Sequence, residues 1–159
     1  MRCAVVRLLV LAMFAAAWAA PALASGDHPH TESVTLWTAR GELFMEYVPP
    51  VAGKPARFTA HLTELENFRA VEEAVVAIRL WKAGGTKIEG KVEGPARPGI
   101  FQPVLTVPDA GEYQGEVVVT GPDLTETFAL ESVRVLKDGE KPPPAPEEPH
   151  AGDVVSFLK

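Results

Sequence analysis

Residues 27–30, Asp27-His28-Pro29-His30, are the one stretch where side chains suited to metal chemistry crowd together. Two imidazoles and a carboxylate within four residues suit Zn²⁺, Cu²⁺, Co²⁺ or Ni²⁺, and the turn at Pro29 brings His28 and His30 together. A structural site wants a third or fourth ligand, so an ion held by His28 and His30 alone is bound weakly and unselectively. The plainer alternative is a polar tail in which the two histidines hold nothing. Soft Cu(I) or Ag(I) prefers thioethers. Of the three methionines, Met1 and Met13 fall in the leader described below, and Met45 reads as core.

Little else in the chain suggests chemistry. The other two of the four histidines, His61 and His150, stand apart on a strand and in a tail. No serine sits in a nucleophile elbow. The carboxylates are scattered over outward positions, as on a solvated surface. Gly84-Gly85 is a turn rather than a phosphate loop. The chain therefore reads as a non-enzymatic protein that requires no cofactor, with a weakly held divalent metal as its one candidate ion. Trp37 and Trp81 are double-edged. Strand tryptophans usually fill the core, but exposed ones stack on sugars or anchor a partner.

The ends of the 159-residue chain read differently from its middle. Arg2 and Arg7 precede an unbroken apolar run from Leu8 to Ala20, and Ala22-Leu23-Ala24 offers a cleavage site before Ser25. These are the three parts of a secretory signal peptide, residues 1–24. The run falls short of the ~20 residues that span a bilayer, so the expected mature chain has no membrane span and is periplasmic. Cleavage removes the sole cysteine, Cys3, and with it any disulfide or thiol nucleophile. It also removes two arginines, leaving 13 Lys and Arg against 21 Asp and Glu, a shift in net charge from −6 to −8. Such an acidic chain lacks the basic face that nucleic acid requires. Residues 25–33 read as a flexible, His-containing N-terminus. Residues 137–152 hold five prolines and six charged residues, which reads as a disordered linker.

Between these ends, residues 34–136 alternate in short runs punctuated by Gly and Pro, the pattern of an all-β domain. In "RFTAHLT" (57–63), Phe58, Ala60 and Leu62 face one way and Thr59, His61 and Thr63 the other. Leu43, Met45 and Tyr47 share a face, as do Tyr113, Gly115, Val117 and Val119. Pro103 argues for a strand edge or bulge. Residues 86–94 read as an edge strand after the Gly84-Gly85 hairpin. In residues 124–136 the apolar parity shifts from even to odd, which a bulge near Glu131-Ser132 reconciles. Asp109-Ala110-Gly111-Glu112-Tyr113 before a strand matches a tyrosine corner, the device of immunoglobulin-like antiparallel β-sandwiches. Residues 64–78 conflict with this pattern: Leu65, Phe68, Val71, Val75 and Ile78 have helical spacing, and Thr63 with Glu66 matches a capping box.

Together, the signal peptide, "HTESVTLWTARGELFMEY", "FTAHLTELENFRAV", "RPGIFQPVLTVPDAGEY", the Pro/Glu-rich linker and the closing "VVSFLK" resemble a known family. They are similar to the N-terminal part of periplasmic adaptor (membrane-fusion) subunits of heavy-metal efflux pumps of the resistance-nodulation-division type. The resemblance implies an immunoglobulin-like domain and a linker, then, from 153–159, the first residues of an adaptor body. It implies an extended segment at residues 70–81, which favours a loop and strand over a helix. It also implies an inner-membrane pump and an outer-membrane channel as partners, reached through that body. Some copper and silver adaptors carry N-terminal methionines; His28 and His30 stand here instead, which suits a harder ion. The alternatives are a free-standing periplasmic metal-binding or chaperone-like sandwich, and a sugar-binding sandwich using Trp37 or Trp81.

Overall fold

The computed structural model describes residues 30–142. The signal peptide, His28, the remainder of the linker and residues 153–159 lie outside the described residues. The described chain is an all-β antiparallel sandwich of two sheets, with no helix, and it does not close into a barrel. The first sheet is built from β1 (Glu32–Trp37), β2 (Gly41–Tyr47), β3 (Pro55–Glu64) and the short β4 (Arg69–Ala70). The short strands β7 (Ile100–Phe101) and β8 (Val104–Thr106) also pair with β3. The second sheet has the order β10-β9-β5-β6, with β5 (Val75–Trp81), β6 (Ile88–Glu93), β9 (Gly111–Thr120) and β10 (Thr125–Val135). The chain changes sheet three times: after β4, after β6 and after β8. These exchanges give the Greek-key connectivity of an immunoglobulin-like sandwich.

Alternation along each strand builds the core. Leu43, Met45, Phe58, Ala60 and Leu62 of the first sheet meet Val76, Ile78, Leu80, Val117 and Val119 of the second, all essentially inaccessible to solvent. No polar or charged residue is buried among the described residues. The interior is thus held by apolar burial, about 1.5–3 kcal/mol for each large side chain. Phe58, Phe101 and Phe128 are its largest fully buried members. The parity shift in β10 is a bulge between Leu130 and Val133, which returns Val133 and Val135 to the core. Pro103 separates β7 from β8, where it spares the ladder a missing donor while its carbonyl accepts from Phe58 N at 3.0 Å.

Residues 64–78 form no helix. The Glu64–Arg69 connection is a turn, and β5 begins at Val75. Val71 and Val76 are buried, but Phe68 is 80 % exposed with φ +56°. The helical spacing lost because β5 supplies Val76, Ile78 and Leu80 to the core with period two, between β9 and β6. Two boundaries also move. Glu32 and Ser33 pair with Tyr47 and Glu46, so the sheet begins inside the segment read as tail. Lys137 to Glu140, read as linker, turn back on the domain through Lys54–Asp138 and Arg134–Glu140 ion pairs.

The last sheet change is fixed by the corner. Tyr113 is 4 % exposed, and its hydroxyl donates to Asp109 O at 2.8 Å. Lys82 reinforces the bend, donating to Ala110 O at 3.0 Å while its ammonium lies 5.0 Å from the Tyr113 ring centre. The β6 edge closes over β8 only because residue 90 is glycine: a Cβ there would stand 2.1 Å from Val104 O. We therefore expect Tyr113→Phe to lower unfolding free energy by about 1 kcal/mol, the net value of a typical hydrogen bond. Gly90→Ala should cost more, about 2–3 kcal/mol, because backbone must move. Urea midpoints at constant m-value read both; unchanged midpoints would mean that neither contact holds the sheets.

Candidate interaction site

The two sheets present very different outer faces. On the second, β5, β6 and β9 align Arg79, Glu89 and Glu116 across neighbouring strands. Arg79 Nε donates to Glu89 at 2.5 Å, and Lys87 Nζ donates to Glu116 at 2.7 Å. Arg79 Nη1 reaches the same Glu116 oxygen at 3.4 Å. The Lys87 ammonium, then Arg79, holds the Glu116 carboxyl below its ordinary range, against a burial effect that opposes it. Trp81 belongs to this network rather than to the core. Its indole N–H donates to Gln114 at 2.9 Å, and Lys87 covers its ring at 4.4 Å from the centroid.

The outer face of the first sheet is mixed, with Trp37, Phe44 and His61 standing beside Glu42, Glu46 and threonines. Thr35, Phe44, His61 and Ile100 stand directly opposite one another across β1, β2, β3 and β7. The Phe44 and His61 rings lie 5.5 Å apart. Trp37, expected in the core, is 64 % exposed at the end of β1, opposite Glu42 and diagonal to Phe44. It missed the core because residues 32, 34 and 36 take the inward parity. Val104 on β8 and Val48 just past β2 are also exposed, at 45 % and 43 %. With Phe68, these are all the exposed large hydrophobic residues among those described, and each belongs to the first sheet or a connection of it. Glu42 and Glu46 stand among them on β2, the second 3.9 Å from His61 Nε2.

A third feature lies where the described chain enters and leaves. Glu32 begins β1 opposite Tyr47, and Leu136 is held to Val51 and Pro50 at the same end. Glu32, Tyr47, Pro49, Ser132, Arg134 and Leu136 line a cavity of about 160 Å³ there. Burial raises the Tyr47 phenol above its ordinary range, and the charges of Glu32 and Glu112 raise it further. Arg134 is taken by Glu140 at 2.7 Å, and Ser132 donates to Glu112 at 3.2 Å. His30 is largely covered here, its Nδ1 3.4 Å from Glu32 Oε1. That nitrogen is buried and makes no hydrogen bond. Among the described residues no three His, Cys, Asp or Glu side chains converge on one point.

The acidic pH response follows from Glu116. Its folded-state pKa is depressed, so its stabilisation is present above the ordinary carboxylate range and is lost as pH falls through it. Its cationic partners are a third to a half exposed, which keeps the contribution below about 1 kcal/mol. Glu116→Gln should lower stability at pH 7, and the gap from wild type should shrink toward pH 3 in urea titrations. A gap that persists at pH 3 would assign the effect to packing instead. Compared with known proteins, the chain matches no family model, no curated protein and no solved structure.

Proposed function

We propose that this chain is the periplasmic N-terminal interaction domain of a heavy-metal efflux adaptor, acting by binding rather than by catalysis. The observation that supports this reading is the asymmetry between the two outer faces. One is closed by its own ion pairs, whereas the other carries Trp37, 64 % exposed and diagonal to Phe44. Trp is enriched among the residues that carry binding energy at protein interfaces. The entry and exit of the chain share one end of the sandwich. An adaptor body following residue 153 would attach at that end and leave the first sheet's outer face free for the inner-membrane pump. The names of family and partners come from the resemblance of residues 30–47, 58–71 and 97–113.

The sugar-binding alternative loses Trp81, whose ring and N–H are already occupied. The docking role is tested with Trp37→Ala and Phe44→Ala in the full adaptor. Each should weaken binding to the pump subunit by about tenfold or more, equivalent to about 1.4 kcal/mol, with thermal stability close to wild type. Unchanged affinity would remove this face as the contact. Sequencing beyond Lys159 tests the architecture: a reading frame with a lipoyl-like pattern and a long heptad hairpin is expected, whereas an immediate stop codon would favour a free-standing periplasmic protein.

A further inference from the structure

We infer that the free edge of β1 is a pairing site for a second copy of this chain, the two β1 strands joining antiparallel about a two-fold axis at Thr35. The ladder shows which groups are available. Thr38 N donates to Gly41 O at 2.9 Å, and Leu65 N donates to Arg40 O at 2.8 Å. With the β1–β2 and β2–β3 registers, these bonds fix the alternation. The even residues of β1 bond to β2, while Ser33, Thr35 and Trp37 turn their N–H and C=O groups away from it. Among the described residues no backbone pairs with that side. The other sheet edges are blunted. β4 and β7 have two residues each and β8 three. β6 carries Glu89, Lys91 and Glu93 and closes over β8 at Gly90. β10 carries Glu126, Glu131 and Arg134 and is interrupted by its bulge. Short strands, charges and bulges are what keep an edge from accepting another strand. β1 has none of these: it pairs with β2 over six unbroken residues, and its sole charge, Glu32, stands at its first position.

The strand is complementary to itself, which identifies the occupant. Residues directly opposite in a ladder share a face, so the two-fold must fall on a residue for inward side chains to meet inward ones. Centred on Thr35, it sets Ser33 opposite Trp37 of the second copy, Thr35 opposite Thr35, and Val34 opposite Leu36. The odd residues then form three narrow pairs with two hydrogen bonds in each; a centre on Val34 or Leu36 leaves fewer within β1. On the inner side, Val34 and Leu36 pack on the core but are only partly buried, and in the pair they cover each other. On the outer side Trp37 lies beside the small Ser33. Glu42 and Glu46 stand one strand back from the junction, on β2, so no carboxylate directly opposes another. A contact of two six-residue strands is small beside the ~1,600 Å² of a standard interface, which makes the pairing micromolar rather than nanomolar.

This self-pairing goes beyond the docking role and fails separately from it, because docking is read on the side chains of Trp37 and Phe44 and pairing on the backbone N–H of Thr35. The whole exported chain is followed by analytical ultracentrifugation from micromolar to millimolar concentration. Wild type should pass from monomer to dimer. Thr35→Pro removes an N–H that faces the free edge and none from the β1–β2 ladder, a position where proline is tolerated. It should stay monomeric with Tm close to wild type. Thr35→Lys sets two ammonium groups opposite each other at the axis; it should weaken the dimer several-fold at low salt and recover as salt screens the charges. The register is read with Thr35→Cys, the sole thiol once the leader with Cys3 is gone. A narrow pair places its Cα atoms about 5.5 Å apart, within disulfide reach, so mild oxidation should yield a covalent dimer, whereas Thr127→Cys on β10 should not. A wild type that stays monomeric throughout would overturn the inference. So would full dimer affinity in both Thr35→Pro and Thr35→Lys, or cross-linking of Thr127→Cys as complete as that of Thr35→Cys.

Discussion

The hydrogen bond from Tyr113 to the Asp109 carbonyl fixes the point at which the chain last crosses between the two sheets. An antiparallel sandwich needs its chain to change sheets without leaving backbone groups buried and unpaired. Here the chain makes the last of three changes between β8 and β9, and the corner ties that bend to the start of β9. From there β9 becomes the centre of the second sheet, with β10 on one side and β5 on the other. If β9 were set one residue out of register, Tyr113, Val117 and Val119 would face solvent and Glu112, Glu116 and Val118 the core. The corner thus selects which side of the most connected strand is buried.

That selection also determines the surface. With Tyr113 inward, Gln114 and Glu116 point outward beside Trp81, Arg79 and Lys87, and the second sheet's face closes on itself. Each exposed pair there contributes little to stability, but the pairing leaves few groups free to recognise anything else. The first sheet has no such network. Its carboxylates on β2, Glu42 and Glu46, stand beside Trp37 and Phe44, and Glu46 lies 3.9 Å from His61 Nε2. The asymmetry is a property of side-chain parity on two sheets, and it divides the molecule into a face that is finished and a face that is not.

Much of this was legible in the residues. Strict alternation in 57–63 and 113–119 identified the buried faces, because a strand between two neighbours has only two sides. The bulge at 130–133 was visible as a parity shift, and the corner as an Asp-x-Gly-x-Tyr run. What failed was local: the helical spacing of 65–78 counts Phe68, which lies exposed in a turn, and ignores the pairing partners that claim residues 75–81. The tryptophans failed for the same reason. Their composition says core, yet Trp37 occupies the outward parity of β1 and Trp81 that of β5. Neither long-range pairing nor parity at a strand end can be read from a residue's type.

The strand β1 joins the two surfaces that matter. It runs from Glu32, beside the buried His30 nitrogen, to Trp37, the most exposed aromatic of the open face apart from the turn residue Phe68. Five residue steps separate them, about 17 Å of extended chain. As an edge strand paired only with β2, β1 has one ladder to hold it, and none of its residues is fully buried, whereas β2 and β3 each bury three. Edge strands with one partner are the first elements to open locally. Order at Glu32, where the ladder starts, therefore bears on how firmly β1 holds Trp37 at its other end.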